Sequence, residues 1–392
     1  MKYILIGITD SPHPYFPPDV LEAIRQGHVF SGGQRHHAIV SHLLPDSSRW
    51  IDITVPLDAV FEQYAQVEED IVVFASGDPI FFGFANTIRK RLPQAEIILY
   101  PTFNSLQMLA HRLAIPYHEM QTVSLTGRPW EALDQALISD RQMIGILTDK
   151  HHTPAAIARR MLEYGYSAYQ MWVGECLGNP GRERVSTLSL QEASQREFIM
   201  PNCVIVRGSH PRRFGIPDQE FELLDGRARM ITKMPIRLLS LQAMDLPSRH
   251  TLWDIGFCTG SLSIEARLQF PHLQVVAFEI RPEGQRLMDI NSHRHGAPGI
   301  DAHICDFLEK DVQSLPSPDA VFIGGHGGQL AAIMEKASAS LLPGGCIVMN
   351  SVTAESRQQF EAAAHRLGLH LKEPTHIALN DYNPINILKC TK

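Results

Sequence analysis

A loop in the second half of the chain has the residue types of a ligand-binding turn. A predicted strand over residues 251–255 runs into Gly256, and Thr259 and Gly260 precede a helix predicted over residues 261–268. Glycine has no Cβ and tolerates positive φ, so the backbone there can approach a ligand closely. Parallel sheets bind their ligands at such strand-to-helix turns. We therefore expect these three residues to line a cofactor site.

Two acidic residues follow at the ends of the next predicted strands. Glu279 ends a strand over 274–279, where a carboxylate can accept both hydroxyl hydrogens of a ribose, as also happens in NAD-binding folds. Asp306 follows the third strand, where it could meet an adenine amino group. A dinucleotide fingerprint needs three glycines to hold a pyrophosphate, whereas Gly256 and Gly260 supply two. A cofactor without phosphate fits better, which predicts S-adenosylmethionine (SAM).

Phe257 and Cys258 occupy the middle of this loop, where glycine would ease the turn. We include both in the predicted cofactor-binding set. A cysteine is small enough for this position if its φ is negative. We expect Cys258 to be a packing residue and not a nucleophile.

The fourth predicted strand of this half ends in a second glycine-rich loop, "GGHGG". Its four glycines offer backbone N–H groups that suit substrate carboxylates: Gly324, Gly325, Gly327 and Gly328. His326, between them, is a weak catalytic candidate that could steer an acetate or a proton, and a purely structural role fits it equally well. Four basic residues are further candidates for binding substrate carboxylates. A solvated basic face without a binding role fits them equally well. The four are Arg227, Arg229, Lys233 and Arg237.

The first half carries its clearest motif in "FASGDPIFFG", which includes Asp78 and Phe81. A Gly-Asp-Pro turn fixes φ at the proline and frees backbone amides beside a carboxylate. From the residues alone, a turn at a strand end without a binding role explains the motif as well as a ligand site does. Asn104 and Ser105 open a helix predicted over residues 105–113, where a small polar ligand group could be held.

Short β-branched runs alternate with amphipathic helical stretches along the chain, which predicts an α/β fold. A length of 392 residues favours two domains. We place them at residues 1–208 and 221–392, joined by a Gly/Pro/Arg-rich linker over 209–220. The formal net charge of −7 gives no general reason to expect nucleic acid or a membrane as partner.

The spacing of the cysteines and the length of the apolar runs bear on the cellular compartment, on metal binding and on membrane insertion. The six cysteines lie far apart, without the spacing of metal ligands, so we expect reduced structural thiols in a cytoplasmic protein and no bound metal. No apolar run approaches the roughly 20 residues that span a bilayer.

The second half resembles the decarboxylating C15-methyltransferases of cobalamin biosynthesis. The resemblance lies in "MITKMPIR", "DIGFCTGSLSIEA", "FEIRPEG", "NSHRHG", "DAVFIGGHGG" and "PGGCIVMNSVTAES". In that family the threonine of the first segment contacts SAM, which implies a SAM contact for Thr232. A Rossmann-like SAM-dependent methyltransferase fold is implied for this half.

The first half resembles the two-lobed tetrapyrrole methylase family, and within it the C5-methyltransferases. The matching segments are "SGDPIFFG", "PTFNSLQMLAHRL", "SLTGRP", "ILTDKHHTPAAIARRML" and "VGECLGNPGRERV". The resemblance implies that Asp78, Phe81, Asn104 and Ser105 line a SAM pocket. The family usually begins Gly-x-Gly-Pro-Gly, whereas this chain reads "GITDSPHPYFPP" and keeps only Gly7.

Together the two resemblances imply methylation of a corrin precursor at C5 and C15, with loss of carbon dioxide from its C12 acetate. One SAM per domain, a polycarboxylate tetrapyrrole substrate and a homo-oligomer are implied with it. Two alternatives remain. A SAM-dependent RNA methyltransferase is disfavoured by the net acidity and by the missing Pro-Pro motif. A non-catalytic SAM- or tetrapyrrole-binding protein is kept open by Cys258 and by the altered first loop.

Overall fold

The first parallel sheet shows how the sequence pattern becomes a fold. The computed structural model describes residues 1–227, 230–380 and 383–392. Neighbouring residues of the first strand, Leu5 and Ile6, are both buried and belong to different core clusters. Burial on both faces is typical of a parallel sheet covered by helices on each side. The α/β fold class predicted from the sequence is confirmed.

The first compact unit comprises Met1–Pro129, Gln142–Arg159 and Tyr169–Gly208. Its parallel sheet has the order β3-β2-β4-β1-β5. The strands and the helices between them are β1 (Lys2–Ile8), α1 (Pro18–Gln26), β2 (Val29–Gly32), α2 (Gln34–Val40), β3 (Arg49–Asp52), α3 (Asp58–Tyr64), β4 (Ile71–Ser76), α4 (Phe84–Arg91) and β5 (Glu96–Tyr100).

A second sheet of this unit is mostly antiparallel, with the order β6-β7-β10-β8-β9. The elements of this stretch of chain are α5 (Ser105–Leu113), β6 (Gln121–Ser124), α6 (Glu131–Ile138), β7 (Met143–Leu147), α7 (Pro154–Glu163), β8 (Gln170–Glu175), β9 (Arg184–Ser189), α8 (Leu190–Ser194) and β10 (Asn202–Arg207). Thr153 caps α7, because its hydroxyl accepts the amide hydrogen of Ala156 at 3.2 Å.

The second compact unit comprises Trp130–Arg141, Arg160–Ala168 and Ser209–Lys392, so it includes α6 and the end of α7. Its sheet has the order β13-β12-β11-β14-β15-β18-β16, with β17 paired to β18. The further elements are α9 (Met234–Ala243), β11 (Thr251–Ile255), α10 (Ser261–Gln269), β12 (Gln274–Glu279), α11 (Glu283–His295), β13 (Ile300–Ile304), β14 (Ala320–Ile323), α12 (Leu330–Ser340), β15 (Cys346–Ser351), α13 (Ala354–Arg366), β16 (His370–Leu371), β17 (Thr375–Ile377) and β18 (Ile385–Thr391).

The strand order of this second sheet reverses between β11 and β14. The strands from β11 to β15 run parallel, and β18 pairs antiparallel to β15. Open α/β sheets bind ligands in the crevice at such a switch point. The loops after β11 and β14 are therefore where the fold places a ligand.

The segment predicted as a linker is held firmly against α10. The amides of Gly215 and Ile216 donate to the two carboxylate oxygens of Glu265, each over 3.0 Å. Arg212 donates to the carbonyl of Leu268 over 2.8 Å. Ile216 is buried. This stretch therefore packs as part of the second unit.

Candidate functional sites

The loops after β11 and β14 cross in direct backbone contact. Gly256 has φ +78°, and a Cβ placed on it would lie 2.7 Å from the amide nitrogen of Gly325. A Cβ on Gly324 would lie 2.8 Å from the carbonyl oxygen of Gly256. Neither contact leaves room for a side chain, so the glycines at these positions are required by the crossing.

Cys258 differs from expectation in its backbone, since its φ is +51° rather than negative. Its amide donates to Glu279 Oε2 over 2.8 Å, and its Sγ donates to the carbonyl of Met230 over 3.3 Å. Burial, assisted by the charge of Glu279, raises the pKa of the Cys258 thiol. A protonated thiol is a poor nucleophile, and the contacts agree with a packing role.

Glu279 is buried at the end of β12, and its carboxylate accepts hydrogen bonds from the loop after β11 and from Arg281. Besides the Cys258 amide, it accepts the amide and the guanidinium of Arg281 on Oε1, over 3.0 and 2.9 Å. A carboxylate offers about four lone-pair sites, so capacity remains for a ligand hydroxyl. Glu279 and Asp306 line one cavity of about 150 Å³, together with Gly256, Gly325, His326 and Gly327.

A larger cavity of about 480 Å³ lies beside the same crossing. It brings together these predicted residues: Thr232, Lys233, Gly256, Phe257, Cys258, Thr259, Gly324 and Gly325. In the described part of the chain, Gly260 and Gly328 line neither cavity. Gly260 instead precedes α10 as its N-cap residue, with φ +74°.

Asp254, which sequence reasoning placed only as a strand residue, also lines the larger cavity. Its Oδ2 accepts the hydroxyl hydrogen of Ser263 over 2.5 Å. Among the described residues, neither its Oδ1 nor the buried hydroxyl of Thr259 has a hydrogen-bond partner. Burial, opposed by the Ser263 bond and reinforced by Glu279, raises the pKa of Asp254 to about 7.

These unpartnered atoms fit SAM. Buried polar groups normally have partners, so Asp254 Oδ1 and the Thr259 hydroxyl favour a polar ligand in the cavity. An ammonium group would pair with Asp254 and favour its ionised form. Glu279 suits ribose hydroxyls and Asp306 suits a donor such as an adenine amine.

The "GGHGG" loop has fewer available amides than the sequence suggests. The amides of Gly324 and Gly325 donate to the Ile255 carbonyl over 2.8 and 3.4 Å. The amide of Gly328 donates to His326 Nδ1 over 3.2 Å. These three amides are therefore paired within the chain, by the loop crossing and the histidine ring, and substrate binding at these glycines stays a prediction. Gly327 stays a prediction as well.

Among the basic candidates, Arg237 is excluded as a substrate contact because it is wholly buried. It donates to Glu265 over 3.3 Å, to the Thr232 carbonyl over 2.9 Å and to the Ile216 carbonyl. It therefore holds the segment that carries Thr232. Lys233 lies 3.6 Å from Asp218 and lines the larger cavity.

The two remaining basic candidates lie on the approach to this segment. Arg227 is exposed, and its Nη1 lies 3.7 Å from the Met230 sulfur. Arg229 lies outside the described residues. Both stay predictions.

The first unit contains its own cavity of about 150 Å³, at the carboxyl ends of β1 and β4. Phe81, Asn104 and Ser105 line it, and their contact with SAM stays a prediction. Gly77 has φ +62°, and a Cβ on it would lie 2.7 Å from Asn104 Cα. Asn104 caps α5 because its Oδ1 accepts the Gln107 amide hydrogen over 3.0 Å.

Asp78 is not among the described residues that line this cavity, and its contact with SAM stays a prediction. Its Oδ1 accepts the amide hydrogen of Ile80, which lies in the same turn, over 3.0 Å. The tight turn at Pro79 directs the carboxylate back to the backbone. Sequence reasoning missed Asp10, Arg35 and Ser76, which line this cavity. Arg35 follows the short strand β2, which the residue pattern did not reveal.

Comparison with known proteins covers nearly the whole chain. Residues 11–194 match the family model of tetrapyrrole (corrin/porphyrin) methylases, and residues 224–389 match that of the precorrin methyltransferase domain. A precorrin-6Y C(5,15)-methyltransferase [decarboxylating] from Sinorhizobium is 31% identical over 90% of this chain and 84% of its own length. The chain belongs to the precorrin-6Y C(5,15)-methyltransferase (decarboxylating) family. The predicted family is thus confirmed.

Single-function relatives match each half of this family member separately. A cobalt-precorrin-6B C(15)-methyltransferase (decarboxylating) from Salmonella typhimurium is 36% identical over 43% of the chain and 93% of its own length. A cobalt-precorrin-7 C(5)-methyltransferase from the same organism is 24% identical over 52% of the chain and 96% of its own length.

Proposed function

We propose that the chain methylates a precorrin at C5 and C15 and removes carbon dioxide from its C12 acetate, as a step of cobalamin biosynthesis. The observation that carries the proposal is the switch-point site of the second unit, where Asp254 Oδ1 and the Thr259 hydroxyl are unpartnered beside Glu279. The chain is an enzyme of the SAM-dependent C-methyltransferase class. We assign C5 to the domain at residues 1–208 and C15 with decarboxylation to the domain at 221–392.

The residues that would hold SAM in the second unit can be named. Glu279 would accept a ribose hydroxyl, Asp306 the adenine amine and Asp254 the ammonium of the amino-acid tail. Thr232, on the wall of the larger cavity, supplies a further contact. When bound, SAM supplies a methyl group already activated by its sulfonium. The first domain would hold its own SAM through Phe81, Asn104 and Ser105.

The chain's own contribution is chiefly orientation. An electron-rich ring carbon needs to be aligned with the methyl group, and alignment alone can supply a large part of the rate enhancement. The crossing of Gly256 and Gly325 provides a rigid backbone wall for this purpose. Lys233, at the wall of the larger cavity, suits a carboxylate of the substrate.

Decarboxylation places a different demand on the second unit. The acetate carboxylate leaves as carbon dioxide, the electron pair of the broken C–C bond enters the conjugated ring, and a proton returns to the side-chain carbon. His326 remains our candidate donor. The proton would come from the imidazolium form of His326, which becomes the neutral ring when it gives the proton up. In the neutral ring, Nδ1 accepts the Gly328 amide.

Mass analysis of the product tests the proposal directly. Purified chain is incubated with SAM and precorrin-6Y, and we expect a product with two added methyl groups and one carbon dioxide lost. An unchanged precorrin, with SAM still bound, would instead favour the non-catalytic alternative. Methyl transfer to RNA in a parallel incubation would favour the RNA methyltransferase, which the net charge of −7 disfavours.

We also infer a cytoplasmic homo-oligomer that binds no nucleic acid. The six cysteines are free thiols, as in proteins of reducing compartments. None of the described helices is long and apolar enough to cross a membrane. Light scattering of the purified chain measures the oligomeric state.

A further inference from the structure

Three polar side chains from separate elements meet at the cavity of the first unit. Asp10 follows β1, Arg35 lies in α2 and Ser76 ends β4, and all three line the cavity. Arg35 Nη1 donates to Asp10 Oδ1 over 2.6 Å, and Nη2 donates to Ser76 Oγ over 2.7 Å. The Asp10 side chain is 6% exposed and that of Arg35 is 37% exposed. The buried carboxylate therefore orients a guanidinium that a ligand can still reach.

His36 adds a second hydrogen bond to the same serine. Its Nδ1 accepts the Gly33 amide hydrogen over 3.3 Å, and its Nε2 lies 3.0 Å from Ser76 Oγ. Burial and the neighbouring charge of Arg35 lower the pKa of His36 to about 4. With Nδ1 as an acceptor, the neutral ring carries its proton on Nε2, which lies 3.0 Å from Ser76 Oγ and 3.4 Å from Arg35 Nη2.

These bonds determine what Ser76 can offer a ligand. A serine hydroxyl has two acceptor lone pairs and one hydrogen. Arg35 and His36 use both lone pairs, so the hydroxyl of Ser76 can only donate to a further partner. Arg35 has five N–H groups, and two of them serve Asp10 and Ser76. The other carboxylate oxygen of Asp10, Oδ2, accepts a hydrogen bond from Asn179 Nδ2 over 3.4 Å.

A cavity wall with a guanidinium and a hydroxyl that both donate matches a carboxylate. We propose that Arg35 and Ser76 form a carboxylate-binding subsite of the N-terminal site, with Asp10 and His36 as positioning residues. The inference rests on the proposed function, which supplies two sources of this group. One is a carboxylate arm of the precorrin, and the other is the amino-acid tail of SAM.

Two substitutions in the full-length chain test the subsite. Ser76→Ala removes one donor and keeps the Arg35–Asp10 ion pair. Arg35→Lys keeps the positive charge. A lysine ammonium lacks the planar, forked N–H groups of a guanidinium, so it cannot bond Asp10 and Ser76 and also bind a carboxylate with two parallel hydrogen bonds. Arg25→Ala is the matched control, because Arg25 is an exposed arginine of α1 paired with Glu22. For each variant, KM and kcat of C5 methylation are measured together with the Kd of S-adenosylhomocysteine. C15 methylation by the same sample reports that the chain is folded.

We expect both variants to lose affinity for one ligand by roughly ten- to hundredfold, the usual effect of a lost charge-assisted hydrogen bond. A raised KM for the precorrin with unchanged S-adenosylhomocysteine affinity assigns the subsite to the substrate arm. A raised Kd for S-adenosylhomocysteine assigns it to the SAM tail. Unchanged affinities for both ligands, whatever happens to kcat, would overturn the proposal.

Failure of the proposed function would give a different experimental result from failure of the subsite. In that case the unaltered chain adds no methyl group at C5. The S-adenosylhomocysteine titration still compares the variants, and an unchanged Kd in a chain without C5 activity overturns the subsite as well.

Discussion

At the scale of single residues, Cys258 shows a local conflict between side chain and backbone. Its φ of +51° lies in the left-handed region that favours glycine. A side chain with a Cβ raises the energy of this conformation by about 1–2 kcal/mol. The hydrogen bonds of Cys258 to Glu279 and Met230 hold the residue there despite that cost.

Cys258→Gly should therefore stabilise the chain by about 0.5–1 kcal/mol, since relief of the strain exceeds the added freedom of the unfolded chain. Methyl transfer at C15 should stay within a few-fold. Urea unfolding measures the first quantity and product mass the second. Cys258→Ala is the control, because it removes the thiol and keeps the strain. Complete loss of activity in both variants would show that the thiol takes part in the reaction.

Asp254 predicts a pH dependence of cofactor binding. Its pKa is raised from an ordinary 3.8 to about 7 in the folded chain. The folded state thus favours the protonated carboxyl, and this preference lowers the stability of the fold as pH rises from about 4 towards 7. An ammonium-bearing ligand binds the ionised form, so its affinity should rise over the upper part of that range.

Titration with S-adenosylhomocysteine between about pH 5.5 and 7.5 measures this effect. We expect the Kd at the second unit's site to fall by up to about tenfold per pH unit, the limit set by one proton. Asp254→Asn should bind more weakly and lose the dependence. A Kd that does not change with pH in the unaltered chain would contradict the assignment of Asp254 to the ammonium.

At the scale of elements, the paired loops after β11 and β14 depend on each other. Gly256→Ala places a Cβ 2.7 Å from the Gly325 amide nitrogen and adds a left-handed φ cost. Gly344→Ala is the matched control, since Gly344 has φ +76° and open space around it. We expect the control to lose about 1 kcal/mol of stability. We expect Gly256→Ala to lose more, together with C15 methylation. Equal losses in both variants would mean that the crossing can relax.

The strand pattern accounts for the elements that build both sites. The strands Thr251–Ile255 and Gln274–Glu279 and the helix Ser105–Leu113 have their predicted bounds. Continuous apolar and β-branched runs are typical of buried parallel strands. The short β2 (Val29–Gly32) and the polar β9 (Arg184–Ser189) escaped prediction, since neither carries such a run.

Site residues were predictable where a loop sequence carries them and not where the fold assembles them. Glu279 and Asp306 could be named because the first ends a recognisable strand and the second closely follows one. Arg35 and Asp10 lie 25 positions apart and become partners only through the packing of the first sheet. Asp78 does not line the cavity of the first unit and accepts a hydrogen bond within its own turn, as Asp306 does, so its contact with SAM stays a prediction.

At the scale of the whole molecule, each unit has its own cavity and its own set of polar residues. A variant with Gly77→Ala should lose C5 methylation, because a Cβ there meets the Asn104 backbone. A variant with Gly256→Ala should lose the C15 step.

A mixture of these two variants should form the doubly methylated, decarboxylated product, because each supplies the site that the other lacks. Mass analysis of the mixture and of each variant alone checks this expectation. Formation of no doubly methylated product by the mixture would show that the intermediate does not pass between chains.

The position of β18 has a consequence for synthesis on the ribosome. This strand pairs with β15 on one side and with β16 and β17 on the other, although it follows all three along the chain. A nascent chain that has emerged only through α13 leaves the backbone of β15 as an open edge, which invites pairing with other chains. Translation must proceed through Thr391 before that edge closes, so the second unit cannot complete its sheet until β18 has been made.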